Sequence, residues 1–241
     1  MLVFGINSVR EALRAGRVRR MRVGSRADDR IRELLGLAAQ AGIPVERVDA
    51  AVLDHASGAG VHQGVVAELD APREASLADL ASTDHGPPLI VVLDGIEDPH
   101  NVGAILRTVD AVGARGLVRQ ERRAAPLTAA VAKASAGAVA WVTVVDVVNI
   151  ARALEELKAR GVWTVGLDAD ARQTYDTVDL TLPTAVVLGA EGAGLRRLVR
   201  ERCDVLASIP MSGHVGSLNV SVAAGVMLFE AARQRRGRQT T

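Results

Sequence analysis

The chain contains one cysteine, Cys203, among 241 residues. A single cysteine cannot form an internal disulfide and cannot supply a zinc site built from several thiolates. The five histidines include no pair at the i, i+3 or i, i+4 spacing that places two ligands on one helix face. We therefore expect no metal site, and we expect a reducing compartment.

Long apolar runs and aromatic residues are also scarce. Apolar residues make up 49% of the chain, which is ample for a core. No apolar run approaches the ~20 residues that span a bilayer, and the N-terminus has no export pattern. We expect a soluble, cytoplasmic protein. Aromatic residues are only 2% of the chain, so base stacking cannot be the main mode of any nucleic-acid recognition.

Lysine is nearly absent, and arginine carries the positive charge. The net charge is only +1, yet eight arginines lie in the first thirty residues. Two more clusters comprise Arg115, Arg119, Arg122 and Arg123, and Arg233, Arg235, Arg236 and Arg238. The planar guanidinium of arginine can donate two parallel hydrogen bonds to one phosphate. The clusters therefore favour a polyanion partner. Because Lys133 and Lys158 are the only lysines, the alternative is that arginine serves as every exposed cation.

Several nucleotide and hydrolase motifs are missing. No G-x-S-x-G turn and no Gly-Lys-Ser/Thr loop is present, which argues against a serine hydrolase and a P-loop enzyme. The segment GAEGAG at 189–194 has glycines spaced G-x-x-G-x-G. This spacing differs from the dinucleotide fingerprint, so a nucleotide-binding oxidoreductase is disfavoured.

The chain divides at a proline-containing stretch. Residues 1–70 predict a small α/β unit, with helices over 8–14 and 28–40 and a loop at 57–64 around His62 and Gln63. That loop is either a flexible connection or a surface for nucleic-acid backbone. Residues 71–88 are typical of a linker, although SLADLA allows a short helical turn. Residues 89–241 form the second unit.

The second unit alternates strands and helices. The predicted strands lie at 89–95, 116–119, 140–147, 162–168, 184–189 and 205–210, and the predicted helices at 102–113, 127–136, 149–160, 195–201 and 218–235. Continuous Val/Leu/Ile strands separated by helices indicate an α/β fold with a parallel sheet covered on both faces. Ligands of such sheets bind beyond the carboxyl ends of the strands. Three polar turns, GIEDPHNVGAILR at 95–107, GAEGAG and IPMSGHVGSLNVSV at 209–222, follow such ends, so we expect them to form one site.

Each polar turn also has a plain structural interpretation. Asp98 and Asn101 are candidate caps for a helix that carries Arg107, and Ser217 or Asn219 would be an ordinary N-cap for the last helix. Glu191 would then be a solvated acid in a tight turn. Arg107 lies six residues beyond Asn101, so the helix does not imply that the two side chains pair.

Three motifs in order, DPHNVGAILRT, VLGAEGAGL and IPMSGHVGSLNVSVAAG, resemble the SpoU class of RNA ribose 2′-O-methyltransferases within the SPOUT superfamily. FGINSVREAL at 4–13 and VHQGVVAEL at 61–69 are similar to the N-terminal domain of its RlmB-like branch, which modifies a guanosine of 23S ribosomal RNA. The resemblance covers nearly the whole chain.

The resemblance implies a trefoil knot in the catalytic domain, preceded by an L30e-like RNA-binding domain. It also implies S-adenosylmethionine as cofactor, contacted by Gly189, Ile209 and Leu218, and a homodimer in which each site is completed by the partner. Arg107 would activate the ribose hydroxyl, with Asn101, Glu191, Ser217 and Asn219 supporting the site.

Elementary chemistry leaves the proton acceptor open. Arginine has a pKa above ~12, so His100 is the more ordinary base, whereas Arg107 could bind phosphate and polarise the hydroxyl. Two alternatives also remain open. One is an enzyme acting on transfer RNA or on another ribosomal nucleotide, and the other is a non-catalytic RNA-binding protein that keeps the fold.

Overall fold

A computed structural model describes residues 1–25, 28–58, 60–70, 75–122, 124 and 127–238. Within these residues, no helix combines the length and the hydropathy needed to cross a bilayer. Residues 71–74 of the predicted linker, Ala59 of the predicted 57–64 loop, Arg26 and Arg123 lie outside the described residues.

The N-terminal unit is a mixed sheet with helices. Its elements are β1 (Leu2–Phe4), α1 (Ile6–Arg14), β2 (Val18–Val23), α2 (Asp29–Gln40), β3 (Val45–Arg47), α3 (Ala50–Ser57) and β4 (Val65–Leu69). The strand order is β1-β4-β2-β3, in which β4 runs antiparallel to both neighbours and β3 runs parallel to β2. The alternation of buried and exposed residues in β2 places Met21 and Val23 in the core and exposes Arg20.

The start of α1 corrects a prediction. We predicted a helix over 8–14, but the helix already begins at Ile6 and Gly5 is the cap position. The first helical amide, of Ile6, donates instead to the side chain of Gln63 at 3.0 Å. Gln63 has a φ of 52°, a conformation uncommon outside glycine. A side chain from the 57–64 loop therefore does the capping, which no local pattern in α1 reveals.

The connection between the units contains α4 (Leu77–Ala81). Ser76 and Asp79 form a capping box, because each side chain bonds the other residue's backbone amide. Leu77 and Leu80 pack into the apolar cluster on one face of the second sheet. The short helical turn that SLADLA allowed is thus present.

The second unit begins with β5 (Leu89–Asp94). It continues through α5 (Pro99–Ala111), β6 (Gly116–Gln120), α6 (Ala129–Ala134), β7 (Val144–Val147), α7 (Ile150–Ala159), β8 (Trp163–Leu167), β9 (Gln173–Thr174), β10 (Thr184–Gly189), α8 (Arg197–Arg202), β11 (Val205–Ser208) and α9 (Val220–Arg238). Short 3-10 turns cover Ala138–Ala140 and Tyr175–Thr177.

Among the described residues, the sheet of this unit has the order β7-β6-β5-β10-β8-β11-β9, and every pairing is parallel. All six residues of β5 are buried, as expected for a strand with helices on both faces. The predicted doubly covered parallel sheet is therefore confirmed. The strands β5 and β10 are neighbours in the middle of the sheet, so the turns that follow them emerge side by side.

Some predicted boundaries are wrong. Residues 140–143 were predicted as strand, but Gly137, at a φ of 96°, starts a 3-10 turn there and the strand begins only at Val144. Asn101 lies inside α5, which is capped by Asp98 through a 2.9 Å bond from the amide of His100. Proline at the first helical position suits this earlier start. The two-residue strand β9 had no signal in the sequence.

The two units are docked on each other. The hydroxyl of Ser8 donates to the carbonyl of Ala132 in α6 at 3.3 Å, and the indole of Trp141 donates to Glu11 at 3.2 Å. A side-chain carbon at Gly137 would lie 2.7 Å from the Cβ of Glu11. Helix α1 and the segment from α6 to Trp141 therefore approach so closely that only glycine fits at the crossing.

Candidate functional site

Three polar side chains, one from each predicted turn, meet at the carboxyl ends of the central strands. The amide of Asn219 donates to the Asn101 carbonyl at 3.0 Å and to Glu191 at 3.4 Å. The amide of Asn101 donates to the other oxygen of Glu191, also at 3.4 Å. Asn101 is 7% exposed. We call this closed ring of hydrogen bonds the polar triad.

Local structure orients two members of the triad. The Asp98 cap and Pro99 begin α5, which turns Asn101 inward on its first turn. Asn219 precedes α9, and its side-chain carbonyl accepts from the Ser221 amide at 2.9 Å. Asn219 is thus the cap of the last helix, and its amide group remains free to reach the triad. The capping and site interpretations both hold for Asn219, whereas the structure does not use Ser217 as the cap.

A cavity of about 440 Å³ lies beside the triad. Gly189, Ile209, Ser217 and Leu218 all line it, together with Glu191. We call it the main cavity. Its residues come from the segments after β8, β10 and β11, so it occupies the position in which parallel sheets bind ligands. Its volume lies within the ~300–1,000 Å³ of small-molecule sites.

The loop after β10 is folded back on itself. Ala190 and Gly194 exchange backbone hydrogen bonds of 3.1 and 2.8 Å. A side-chain carbon at Gly189 would lie 2.1 Å from the carbonyl carbon of Gly194. Any other residue at position 189 would therefore open the loop. The absence of a side chain leaves the backbone of this segment facing the main cavity.

Sequence reasoning missed the contact that fixes this loop. Asp94, the last residue of β5, has no exposed surface. Its carboxylate accepts from the backbone amide of Arg196 at 2.8 Å and from the Arg196 Nε at 2.6 Å. Arg196 also donates to Gln120 at 2.9 Å. The sequence does mark Asp94, because it is a charged residue at the end of an otherwise apolar strand. It does not reveal the partner, because Arg196 lies about a hundred residues further along the chain.

A second missed pair forms part of the cavity wall. Arg200 donates to Asp168 at 2.5 Å, and both residues line the main cavity. Burial raises the pKa of Asp168, but hydrogen bonds from Arg200 and from the Asp170 amide outweigh it and hold the pKa below its ordinary value. Asp168 therefore stays ionised at neutral pH. Together, Asp168 and Arg200 place an ion pair in the cavity wall.

Arg107 does not line the main cavity. It faces the outer side of α5, in a separate cavity of about 250 Å³ between the two units, which we call the junction cavity. The junction cavity is lined by Asn7, Glu11, Arg107, Asp110, Ser135, Ala136, Ala138 and Trp141. His100 is exposed near the N-terminus of α5. Of the eight site residues named from the sequence, the structure brings together seven, and Arg107 stands apart within its own chain.

The arginine clusters are largely committed to structural contacts. Arg233 forms a two-bond pair with Glu230. Arg235 donates to the carbonyls of Pro87, Pro88, Leu180 and Leu182. Arg119 pairs with Asp146 at 2.7 Å. The side chain of Arg238, like Arg123, lies outside the described part of the chain. These contacts give the named arginines structural roles. Fewer arginines are therefore available to bind phosphate.

Comparison with known proteins accounts for both units. The family described as SpoU rRNA Methylase matches residues 88–229. A second family, described as RNA 2′-O ribose methyltransferase substrate binding, matches residues 2–75. The first match spans the whole parallel sheet and continues to residue 229 within α9. The second match spans the N-terminal sheet.

Individual relatives cover nearly the whole chain. The 23S rRNA (guanosine-2′-O-)-methyltransferase RlmB of Pseudomonas aeruginosa is 46% identical over 97% of this chain and 96% of its own. A putative TrmH family tRNA/rRNA methyltransferase of Bacillus subtilis, YacO, is 44% identical over 97% of this chain and 95% of its own.

Among solved structures, the SpoU methyltransferase AviRb of Streptomyces viridochromogenes, in complex with the cofactor AdoMet, aligns with a TM-score of 0.84. It is 29% identical, and the alignment covers 98% of this chain and 91% of AviRb. The resemblance in the three motifs therefore extends to the sequence and the fold of both units. The chain belongs to the SpoU rRNA methylase family.

Proposed function

We propose that the protein transfers a methyl group from S-adenosylmethionine to the 2′-hydroxyl of a guanosine ribose in 23S ribosomal RNA. The observation that carries the proposal is the polar triad at the rim of the main cavity, in a chain of the SpoU family. The names of the RlmB relatives support the guanosine of 23S RNA. The substrate-binding family match supports an RNA-binding role for residues 1–70.

The main cavity fits S-adenosylmethionine. The cofactor is amphipathic, and the cavity has apolar walls from Ile209 and Leu218 and exposed backbone at Gly189. These three residues would hold it largely through backbone groups. Glu191 contributes a carboxylate to the same wall, which suits a ligand that carries a positively charged sulfur, whereas the charge of Asp168 is paired with Arg200. When bound, S-adenosylmethionine supplies an activated methyl group on that sulfonium.

The triad holds the reaction geometry. Its three residues tie the start of α5, the loop after β10 and the start of α9 together. The ribose oxygen must approach the methyl carbon from the side opposite the sulfur, within about 3–3.5 Å. A rigid rim is therefore valuable, because a small displacement of any one loop misaligns this approach. Ser217 lies in the same wall and positions the substrate by hydrogen bonding.

Arg107 acts on the ribose and its phosphate rather than as a base. Its guanidinium stays charged at physiological pH. It therefore binds the phosphate next to the target ribose and polarises the hydroxyl, whose proton passes to solvent as the new carbon–oxygen bond forms. His100, exposed on the first turn of the same helix, is the competing proton acceptor.

The proposed active unit is a homodimer. Arg107 does not line the main cavity of its own chain, so its role in the reaction requires the main cavity of a second copy. Helix α9 also presents Val222 and Phe229, each 52% exposed, at a seven-residue spacing. Such a spacing forms one apolar stripe that a second copy would cover. We further propose the cytoplasm as its compartment, and a trefoil knot through which the 209–219 segment reaches the triad.

Mapping of 2′-O-methyl groups in total RNA tests this function. We expect one guanosine of 23S RNA to lose its methyl group when the gene is deleted and to regain it with the wild-type gene. Complementation with Glu191→Gln should restore little methylation, because the carboxylate that joins two loops is lost. If deletion changes no ribosomal methylation, the assignment to 23S RNA is wrong; a lost transfer-RNA methyl group would indicate the related activity instead.

Single-turnover rates over a range of pH separate the two proton acceptors. We expect Arg107→Ala to lower the rate by at least about 100-fold at every pH, as loss of a transition-state contact does. His100→Ala should keep the rate and its pH profile. A profile that loses an ionisation in His100→Ala would identify His100 as the base.

A further inference from the structure

The junction cavity contains chemistry that the methyl-transfer mechanism does not use. It lies between α1 of the N-terminal unit and α5 of the catalytic unit, with Trp141 as one wall and Arg107 in the same lining. At about 250 Å³, it falls below the ~300–1,000 Å³ of drug-sized sites. A space of this size suits one planar group rather than a whole nucleotide.

Trp141 is a half-exposed residue held in place by a hydrogen bond. The residue is 48% exposed, and its indole nitrogen donates to Glu11 at 3.2 Å. The other carboxylate oxygen of Glu11 accepts from Arg14 at 3.1 Å. Glu11 is therefore occupied on both oxygens and fixes the ring orientation. A fixed aromatic face can stack on an unpaired RNA base. A single stacking contact is compatible with the low aromatic content of the chain.

Asp110 is a carboxylate at the C-terminal end of α5, a position that does not favour the helix. It is the second-last residue of α5, and the last turn of that helix contains no basic residue. A carboxylate at a helix C-terminus is unfavourable to the helix dipole. Asp110 is exposed, and in the part of the chain that the structure describes its carboxylate has no hydrogen-bond or ion-pair partner within the protein, although it lines the cavity. Its acceptor oxygens are therefore available to a ligand that enters the cavity.

Asn7 complements Asp110. Its side-chain carbonyl accepts from Arg10 at 3.2 Å. This bond orients the amide so that its two N–H donors remain available, and Asn7 also lines the junction cavity. The cavity thus offers one ionised acceptor, one amide donor and one aromatic face.

We propose that the junction cavity binds the base of the target nucleotide and selects guanine. Asp110 accepts from the N1–H and N2–H groups of guanine, Asn7 donates to its O6, and Trp141 stacks on its face. The proposal rests on the proposed methyl transfer to an RNA guanosine. Arg107, on the same helix and in the same lining, then lies beside the ribose and phosphate of that nucleotide.

Discrimination follows from the direction of the hydrogen bonds. Adenine has an acceptor at N1 and no amino group at position 2, so the Asp110 carboxylate would face a lone pair and lose both bonds. An unpaired charged group in a binding site disfavours the wrong ligand more strongly than a missing contact does. Asp110 therefore acts against adenine as well as for guanine.

The proposal is tested by removing the N2 amino group of the target base and the Asp110 carboxylate, first separately and then together. RNA fragments carry guanosine or inosine at the mapped target; inosine lacks only the N2 amino group. We expect wild-type kcat/KM to fall about 5- to 100-fold on inosine, the range of a lost base contact. Asp110→Ala should show a loss on guanosine at least as large, because both bonds to Asp110 are removed, and its kcat/KM on inosine should almost equal its kcat/KM on guanosine. If the two losses multiply independently, Asp110 does not contact N2 and the proposal is wrong.

The variants also need a measure of folding and of cofactor binding. Asp110→Ala should leave the affinity for S-adenosylmethionine unchanged and should raise the Tm slightly, because an unfavourable charge leaves the helix end. A lowered Tm would identify Asp110 as a structural residue and overturn the proposal. Asp176→Ala, which removes an exposed aspartate outside both cavities, is the matched control and should change none of these quantities.

Fluorescence gives a binding measurement that needs no catalysis. Trp141 and Trp163 are the only tryptophans, so Trp163→Phe leaves Trp141 as the sole reporter, and Trp141→Phe leaves Trp163. Target RNA should quench the first variant strongly and the second weakly. Equal quenching contradicts stacking on Trp141. Should the wild-type protein methylate no RNA, the proposed function fails, whereas the quenching still reports separately on the base site.

Discussion

Asp94 is a fully buried carboxylate whose charge is balanced by a single arginine. Burial of an ion is unfavourable unless its hydrogen bonds are satisfied, and here both oxygens accept from Arg196. The bond to the Arg196 backbone matters as much as the bond to its side chain, because it fixes the chain path at the end of the cavity loop. Asp94 is therefore a positioning residue for the segment from Gly189 to Leu195.

We predict that Asp94→Asn weakens cofactor binding more than its effect on stability explains. The amide keeps the shape but replaces an acceptor by a donor that faces the Arg196 N–H groups. Unfolding in urea should show a loss of about 1–3 kcal/mol. Calorimetric titration with S-adenosylmethionine should show a Kd raised roughly tenfold at a temperature where the variant is folded.

Gln120→Ala is the control for this prediction. It removes the outer bond to Arg196, at 2.9 Å, together with the bond from Gln120 to the Val148 carbonyl, at 3.2 Å, and leaves the buried pair intact. Its Kd for the cofactor should match that of the wild type within about twofold. An unchanged cofactor affinity in folded Asp94→Asn would show that the loop does not depend on the clamp.

At the scale of elements, the contact between α5 and α6 links the polar triad to the N-terminal unit. A side-chain carbon at Gly103 in α5 would lie 2.4 Å from the Cβ of Ala134 in α6. Asn101 of the polar triad lies two residues before Gly103 on α5. The turn that docks on α1 follows directly after Ala134. The absence of a side chain at Gly103 therefore allows the two helices to approach closely at this point.

We predict that Gly103→Ala lowers the free energy of unfolding by about 1–3 kcal/mol, because an added methyl group overpacks the helix crossing. Gly36→Ala is the matched control. Gly36 is also inside a helix, α2, but nothing lies within 4 Å of the position its side chain would take. Alanine there should stabilise by roughly 0.5–1 kcal/mol. Thermal and urea unfolding of both variants measure the difference; equal stabilisation would contradict the close packing.

The elements that the sequence predicted correctly have strong local signals. The strands β5 and β10 are continuous Val/Leu/Ile runs, and the parallel sheet follows from their alternation with helices. The start of α1 and residues 140–143 were predicted wrongly. In both cases the determining contact is distant, since Gln63 caps α1 and the close approach of Gly137 to Glu11 holds the 3-10 turn.

The candidate site shows the same division. The rule about strand ends in parallel sheets correctly predicted that the turns with Asn101, Glu191 and Asn219 meet. The spacing argument also correctly kept Arg107 apart from Asn101. Sequence periodicity could not find Asp94 with Arg196, or Asp168 with Arg200, because each pair joins residues on different elements that only the tertiary fold brings into contact.

At the scale of the whole molecule, α9 has two faces with different tasks. Its inner face buries Ala224, Met227 and Leu228 in the core. Its outer face leaves Val222 and Phe229 half exposed. Exposed apolar stripes often mark contact surfaces between proteins, which supports the proposed homodimer.

We predict that Phe229→Glu yields a monomer in analytical ultracentrifugation while the circular dichroism spectrum stays that of the wild type. A buried charge without a partner disfavours the interface strongly. Because Arg107 would then lack the cofactor cavity of a second copy, methyl transfer should fall by at least about 100-fold. Val148→Glu is the control, since Val148 is 79% exposed and lies between β7 and α7. A monomeric Phe229→Glu protein with full activity would contradict a site shared between copies.

The position of β5 and the bonds of Arg235 have a consequence for how the protein is made. A ribosome releases β5 long before β10, which pairs with it along its whole length. The carbonyl of Pro87 gains its donor later still, because that donor, Arg235, lies in α9. The nascent chain therefore carries an apolar strand with an open edge until β10 follows, 95 residues later. We expect the catalytic unit to complete its sheet only after β10 has emerged, and the emerging chain to depend on chaperones more than its finished form does.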